Sequence, residues 1–224
     1  MLKIAVDGPA GAGKSTISRA VAKRMNFIYI DTGAMYRAAA LACLDAGIDI
    51  TGQPKSAAEL VSSSEIDLEN VTGGSPRVLL NGTDVSELIR TPRVSAAASA
   101  VSAIPAVRLI LVDKQREMSK RHNVIMDGRD IGTYVLPDAQ VKIFLTADAR
   151  ERARRRYDEL CEKGESVSLD EVFADMTERD KNDSTRAFAP LKAAEDSIIV
   201  DTTGLSLEQS TERLYKIISE RLGL

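Results

Sequence analysis

Eight consecutive residues, Gly8-Pro9-Ala10-Gly11-Ala12-Gly13-Lys14-Ser15, carry the spacing G-x-x-x-x-G-K-[ST], and Thr16 follows them. Glycines at this spacing let successive backbone N–H groups turn inward around phosphate oxygens, and a helix that follows presents its positive end to the same anion. Lys14 then reaches the outer phosphates and Ser15 holds a magnesium ion, for which Asp127, outside the pattern, is a further candidate through water. A bare glycine turn is the plainer reading. Here, however, the run follows an apolar strand, Leu2 to Val6, and opens a helix in which Ile17, Ala20, Val21 and Met25 recur, which is the context the pattern needs.

Such a loop is shared by kinases, GTPases and transport ATPases, so other residues must separate them. A GTPase would carry Asn-Lys-x-Asp, whereas the nearest string is Asp180-Lys181-Asn182-Asp183, in another order. Asp31 to Arg37 follows the second strand and Asp127-Gly128-Arg129-Asp130 follows the third, at the sheet edge where α/β proteins bind ligands. Arg37 there suits a second anion, or a surface ion pair, and either aspartate of the second motif suits a helix N-cap. In the helix from Arg150, spacing puts Arg152, Arg155 and Arg156 on one face. This is as often a solvated face as a phosphate clamp. On the clamp reading Arg155 and Arg156 meet the donor phosphates, and Arg179 and Arg186 flank a polar loop at Lys181 to Thr185 that closes over them.

Strands alternating with helices must position these residues. Phe27 to Ile30, Asn123 to Met126, Val141 to Leu145 and Ser197 to Val200 join Leu2 to Val6 as five strands. The expected fold is therefore α/β: a five-stranded parallel sheet of the P-loop type wrapped by helices. Helices are expected at Ala34 to Ala46, from Pro105 to Lys120, Arg150 to Lys163, Ser168 to Asp180 and Leu207 to Leu222, the last capped by Ser206 with Gln209. Between Thr51 and Ser95 the texture becomes β-like, with turn signals at Gly73-Gly74 and Asn81-Gly82. This predicts a core of residues 1–50, 104–149 and 187–224, a small subdomain inserted at 51–103 and a lid at 150–186.

The 224 residues are 44% hydrophobic and 28% charged with a net charge of −3, so no global basic field recruits nucleic acid, and aromatics at 4% provide no base-stacking platform. Cys43 and Cys161 are far apart in sequence and are expected as reduced thiols, and His122 as a solvated residue. No signal peptide or membrane-length segment is evident, so the chain is expected in the cytoplasm, away from membranes.

Through GPAGAGKST, DTGAMYR, IRTPRVSAAAS, DGRDIGT, VKIFLTA and ERDKNDSTRAFAPL the chain resembles the bacterial cytidylate kinases over nearly its whole length. The resemblance implies transfer of a phosphoryl group from ATP, with Mg2+, to CMP or dCMP by a monomer. It implies that Gly8 to Thr16 hold ATP, and that Arg37, Arg129 and Arg186, with Thr32 nearby, hold the acceptor phosphate. Arg179 and Asp183 then meet the ribose, and Ser99, Arg108 and Asp130 the cytosine. Lys14, Arg129 and Arg186 are the implied catalytic cations. Thr32 stands where serine is frequent, and Ser197 where alanine is. A kinase for another acceptor, such as UMP or shikimate, and a P-loop regulatory protein are the competing readings.

Overall fold

In β1 (Lys3–Asp7) Ile4, Ala5 and Val6 are all fully buried, which a strand achieves only with neighbours on both edges and cover on both faces. The computed structural model, which describes residues 1–69 and 76–224, pairs β1 in parallel with β6 (Val124–Gly128) on one side and β7 (Val141–Thr146) on the other. β7 in turn pairs in parallel with β8 (Ile198–Asp201). With β2 (Ile28–Asp31) the sheet runs β2-β6-β1-β7-β8, the five strands expected from the sequence. Parallel neighbours require crossovers, and helices supply them.

α1 (Lys14–Met25) begins at the glycine loop and stops at Asn26, which adopts a left-handed conformation with φ 56°. α2 (Thr32–Asp45) is capped by Asp31, whose side chain accepts the Ala34 N–H, so the helix starts two residues earlier than composition predicts. α3 (Pro54–Ser63) corrects the β-like reading of this stretch: Pro54 sits at the tolerant first turn, and Ala57 and Val61, four apart, are buried. A three-stranded antiparallel sheet follows, β3 (Ile66–Glu69), β4 (Arg77–Leu80) and β5 (Thr83–Asp84). Asn81-Gly82, both at positive φ, turns β4 into β5, whereas Gly73-Gly74 lies outside the described residues.

α4 (Pro92–Ser102) buries Val94, Ala98 and Val101, and α5 (Pro105–Ser119) buries Val107, Arg108, Leu111 and Val112. After β6 comes a π-helical turn, Ile131–Val135. α6 (Ala149–Glu162) and α7 (Leu169–Thr185) pack together, and α8 (Leu207–Leu222) opens with the expected Ser206–Gln209 capping box. α7 overturns the expected polar loop at 181–185. The Ser184 hydroxyl donates to the Asp180 and Lys181 carbonyls and the Thr185 hydroxyl to Lys181, so these polar side chains are satisfied inside the helix.

Two compact units emerge. One comprises Met1–Phe27 with Asn123–Leu224, the other Ile28–His122. The second has its own apolar core, built on the alanine-rich α2 with Val61, Ile66, Val94 and Leu111 among its buried side chains.

Candidate functional site

The glycine loop is made by close approach. Gly8 has φ +150°, and a Cβ on it would lie 2.0 Å from the Leu145 carbonyl oxygen of β7. Gly11, at φ +69°, would drive a Cβ to 2.6 Å from Met176 Cε and 2.9 Å from the Arg152 carbonyl oxygen. Both positions demand glycine, by backbone conformation and by space. α1 then begins with Gly13 as N-cap, with no side-chain cap and no acidic residue in its first turn. Its leading N–H groups and the positive end of its dipole are therefore left to an anionic ligand.

Lys14 is buried and its Nζ donates to Pro9 O at 2.7 Å. Burial lowers its pKa, Arg129 pushes the same way, and Asp127 and Asp7 oppose both. Ser15 Oγ donates to Asp127 Oδ2 at 2.8 Å. The parallel register explains this meeting, because Val6 stands opposite Asp127 and Asp7 opposite Gly128. A hydroxyl and a carboxylate side by side are oxygen donors of the kind magnesium takes along with water and phosphate oxygens. No cluster of three His, Cys, Asp or Glu that would hold a metal alone exists among the described residues. Thus Ser15 and Asp127 fit the group the loop implies.

Asp7, unremarked in the sequence, ends β1 as a buried carboxyl that accepts N–H bonds from Ile131 at 2.7 Å and Gly132 at 2.8 Å, so it anchors the π-helical turn. Burial pushes its pKa up to about 7, against those two bonds. An ionisable residue ending an otherwise buried apolar strand was the available signal.

Beyond β6 Arg129 and Asp130 of the Asp127–Asp130 motif come together with Asp183 and Arg186 of the segment ERDKNDSTRAFAPL. Arg129 Nε donates to Asp183 Oδ2 at 2.8 Å. Arg186 lies 3.7 Å from Asp183 Oδ1, donates to Asp130 Oδ1 at 3.4 Å, and is fixed by Nε to Ala189 O at 2.6 Å. Arg179 adds its charge to those lowering the pKa of both Asp183 and Lys14. Asp127 belongs to β6 itself, and Asp130 precedes the π-helical turn without capping it through its side chain.

The α6 arginines separate in space. Arg152 is buried and donates to Ala10 O in the loop at 2.8 Å, whereas Arg155 binds Thr202 O at 2.8 Å and Glu151, and Arg156 pairs with Glu159 at 2.8 Å. Of the three, Arg152 is bonded to the phosphate loop.

In the second unit Thr32 is the first residue of α2 and is buried, and Arg37 Nη2 donates to Asp31 Oδ2 at 3.3 Å. Arg108 is buried on α5, its guanidinium 5.4 Å from the centre of the Tyr36 ring and its Nη1 donating to Ser102 O at 3.3 Å. Ser99 is half-buried on α4. A buried guanidinium on an aromatic face gives planar donors a fixed direction.

A parallel sheet whose central strand runs through a glycine loop into a helix without a side-chain cap, opened by Lys14 and Ser15, defines a P-loop nucleotide-binding protein. The sequence matches the family model for cytidylate kinase over residues 4–220. It is 49% identical over 220 residues to the cytidylate kinase of Carboxydothermus hydrogenoformans, covering 98% of both chains. It is also 51% identical over 217 residues to that of Caldanaerobacter subterraneus subsp. tengcongensis, covering 97% of this chain and 94% of the relative. The solved structure of an uncharacterized protein from Eubacterium ventriosum is alike in fold, with TM-score 0.54, 11% identity and coverage of 98% and 99%. This chain belongs to the cytidylate kinase family.

Proposed function

We propose that the protein transfers the terminal phosphoryl group of ATP to CMP or dCMP, giving ADP and CDP or dCDP. The observation that carries this reading is the start of α1, whose unblocked N–H groups stand beside a buried lysine and within the field of Arg129 and Arg179. Such a site lowers the charge of a triphosphate held at its outer end.

The acceptor needs little activation, because a phosphate monoester is already an anion near neutral pH, its second pKa being about 6. Alignment and charge cancellation are then the chemical task, and no general base is required. In this mechanism residues Gly8 to Thr16 grip the donor phosphates, and Lys14 leaves Pro9 O to meet the outer ones. Arg129 and Arg186, with Arg37 and Thr32, hold the acceptor phosphate. Arg179 and Asp183 meet the ribose, and Ser99, Arg108 and Asp130 the cytosine, whose exocyclic amine needs an acceptor and whose carbonyl needs a donor. Arg155 and Arg156 reach the donor only after leaving their present partners. Ser15 and Asp127 would hold magnesium, which when bound offsets charge on the phosphates.

We place residues 51–103 as the acceptor domain and 150–186 as a lid that excludes water when it closes. The protein is taken to act as a cytoplasmic monomer on small nucleotides. Both cysteines are free thiols, which suits a reducing compartment, and among the described residues no single helix is long and apolar enough to cross a membrane.

Initial rates with ATP and magnesium on CMP, dCMP, UMP, AMP and shikimate test the reading. CMP and dCMP are expected to be the preferred acceptors. A preference for any other would replace the substrate, and no transfer to any acceptor would remove the function.

A further inference from the structure

The middle of the phosphate loop is held by groups with no role in the chemistry described above. The Ala10 N–H donates to Asp180 Oδ1 at 3.0 Å, and the Ala10 carbonyl accepts from Arg152 Nη1 at 2.8 Å. The same Nη1 donates to Asp180 Oδ2 at 2.6 Å, closing a ring through both polar groups of one residue. Arg152 Nε donates to Ala147 O at 3.1 Å, which ties the ring to the end of β7. Apolar packing holds the same place: Ala10 lies against the cluster of Ala153, Val172 and Met176, and Met176 with the Arg152 backbone occupies the space beside Gly11.

We infer that Asp180 and Arg152 are positioning residues for the donor: they fix the Ala10 backbone so that the remaining loop amides converge on the ATP phosphates. The pair is mostly withdrawn from water, at 11% and 20% side-chain exposure, and its bonds are charge-assisted, hence stronger and more directional than neutral ones. A lone carboxylate beside a phosphate-binding loop would repel the ligand, and the guanidinium of Arg152 cancels that field. With the Ala10 N–H committed to Asp180, the loop cannot flip this peptide without breaking the ring. The device belongs to the donor alone, so its loss is expected to change ATP affinity and to leave the acceptor site as it was.

This inference rests on the ATP-binding half of the proposed function. The test is calorimetric binding of a non-hydrolysable ATP analogue with magnesium to the full chain, alongside KM for CMP and the melting temperature. D180A is expected to weaken analogue binding about tenfold, roughly 1.4 kcal/mol. D180N keeps an oxygen for the Ala10 N–H but sets an amide donor against Arg152, so an intermediate loss of about three- to fivefold is expected. In both, KM for CMP at saturating ATP stays within about twofold of wild type. Should D180A fail to fold, D180N decides alone. Analogue binding within about twofold of wild type in the folded variants, whatever happens to melting temperature, overturns the inference, as does an equal rise in KM for CMP. Failure of the wild type itself to bind the analogue would instead bring down the proposed function, and this inference with it.

Discussion

Arg129 and Asp183 meet side on, Nε to Oδ2 at 2.8 Å, across 54 residues of sequence, and both are withdrawn from solvent. Burial by itself would raise the Asp183 pKa. The charge and hydrogen bond of Arg129, then the charges of Arg179 and Arg186, overcome that and hold it below its ordinary 3.8.

The sign of the linkage follows. Between the lowered folded value and 3.8 the native state binds fewer protons than the unfolded chain, so stability rises with pH there. The contribution is complete above the ordinary carboxylate value and is lost as pH falls through the folded one. Asp183→Asn is expected to cost about 2–4 kcal/mol at neutral pH, because it takes from the largely buried Arg129 the carboxylate it pairs with. It should also flatten the acid limb of a urea-denaturation series below about pH 4. An acid limb as steep as wild type would contradict the pairing.

Lys14 separates function from stability. Its ammonium is destabilised by burial and by Arg129, so the folded state gains little from the charge. Lys14→Met is expected to lower kcat by about 10²–10³ while the melting temperature stays level or rises. A large fall in melting temperature together with unchanged kcat would reverse this assignment.

Gly8 and Gly47 have left-handed or related conformations of very different consequence. Gly47, at φ +67°, has nothing within 4 Å of the place a methyl group would take, so Gly47→Ala should cost only the backbone strain, about 1–2 kcal/mol. Gly8→Ala adds a collision with the Leu145 carbonyl oxygen and should cost more than about 3 kcal/mol, with loss of ATP binding. Thermal denaturation of the two variants compares them directly, and equal costs would show that space beside β7 is not what selects glycine.

Asp130 is the proposed acceptor for the cytosine amine. Asp130→Asn presents a donor amide to the base, which suits the carbonyl of uracil instead. The ratio of kcat/KM for CMP over UMP is expected to fall at least about tenfold, with KM for ATP unchanged. An unaltered ratio would assign base reading to other residues.

The phosphate loop was legible because its chemistry is local: strand, glycines, lysine, serine and helix lie within a few residues, and backbone conformation carries the function. The same is true of α8, whose Ser206–Gln209 box writes its start into four residues. The extended polar end of α7 was hidden, since serine and threonine hydroxyls that read as loop-forming instead bond back onto their own helix. Helical spacing put Arg152, Arg155 and Arg156 on a common face but held no information on which would meet the loop. The rotation of α6 decided it, and that rotation is set by Ala153 packing on Val172 and Met176. Likewise Asp7 gained its partners from the turn after β6, 124 residues away. One-dimensional order thus determines the loop and its neighbours in sequence. Which distant charge faces which is decided by the close packing of helices and the register of parallel strands, because only these set direction between residues that the chain itself keeps far apart.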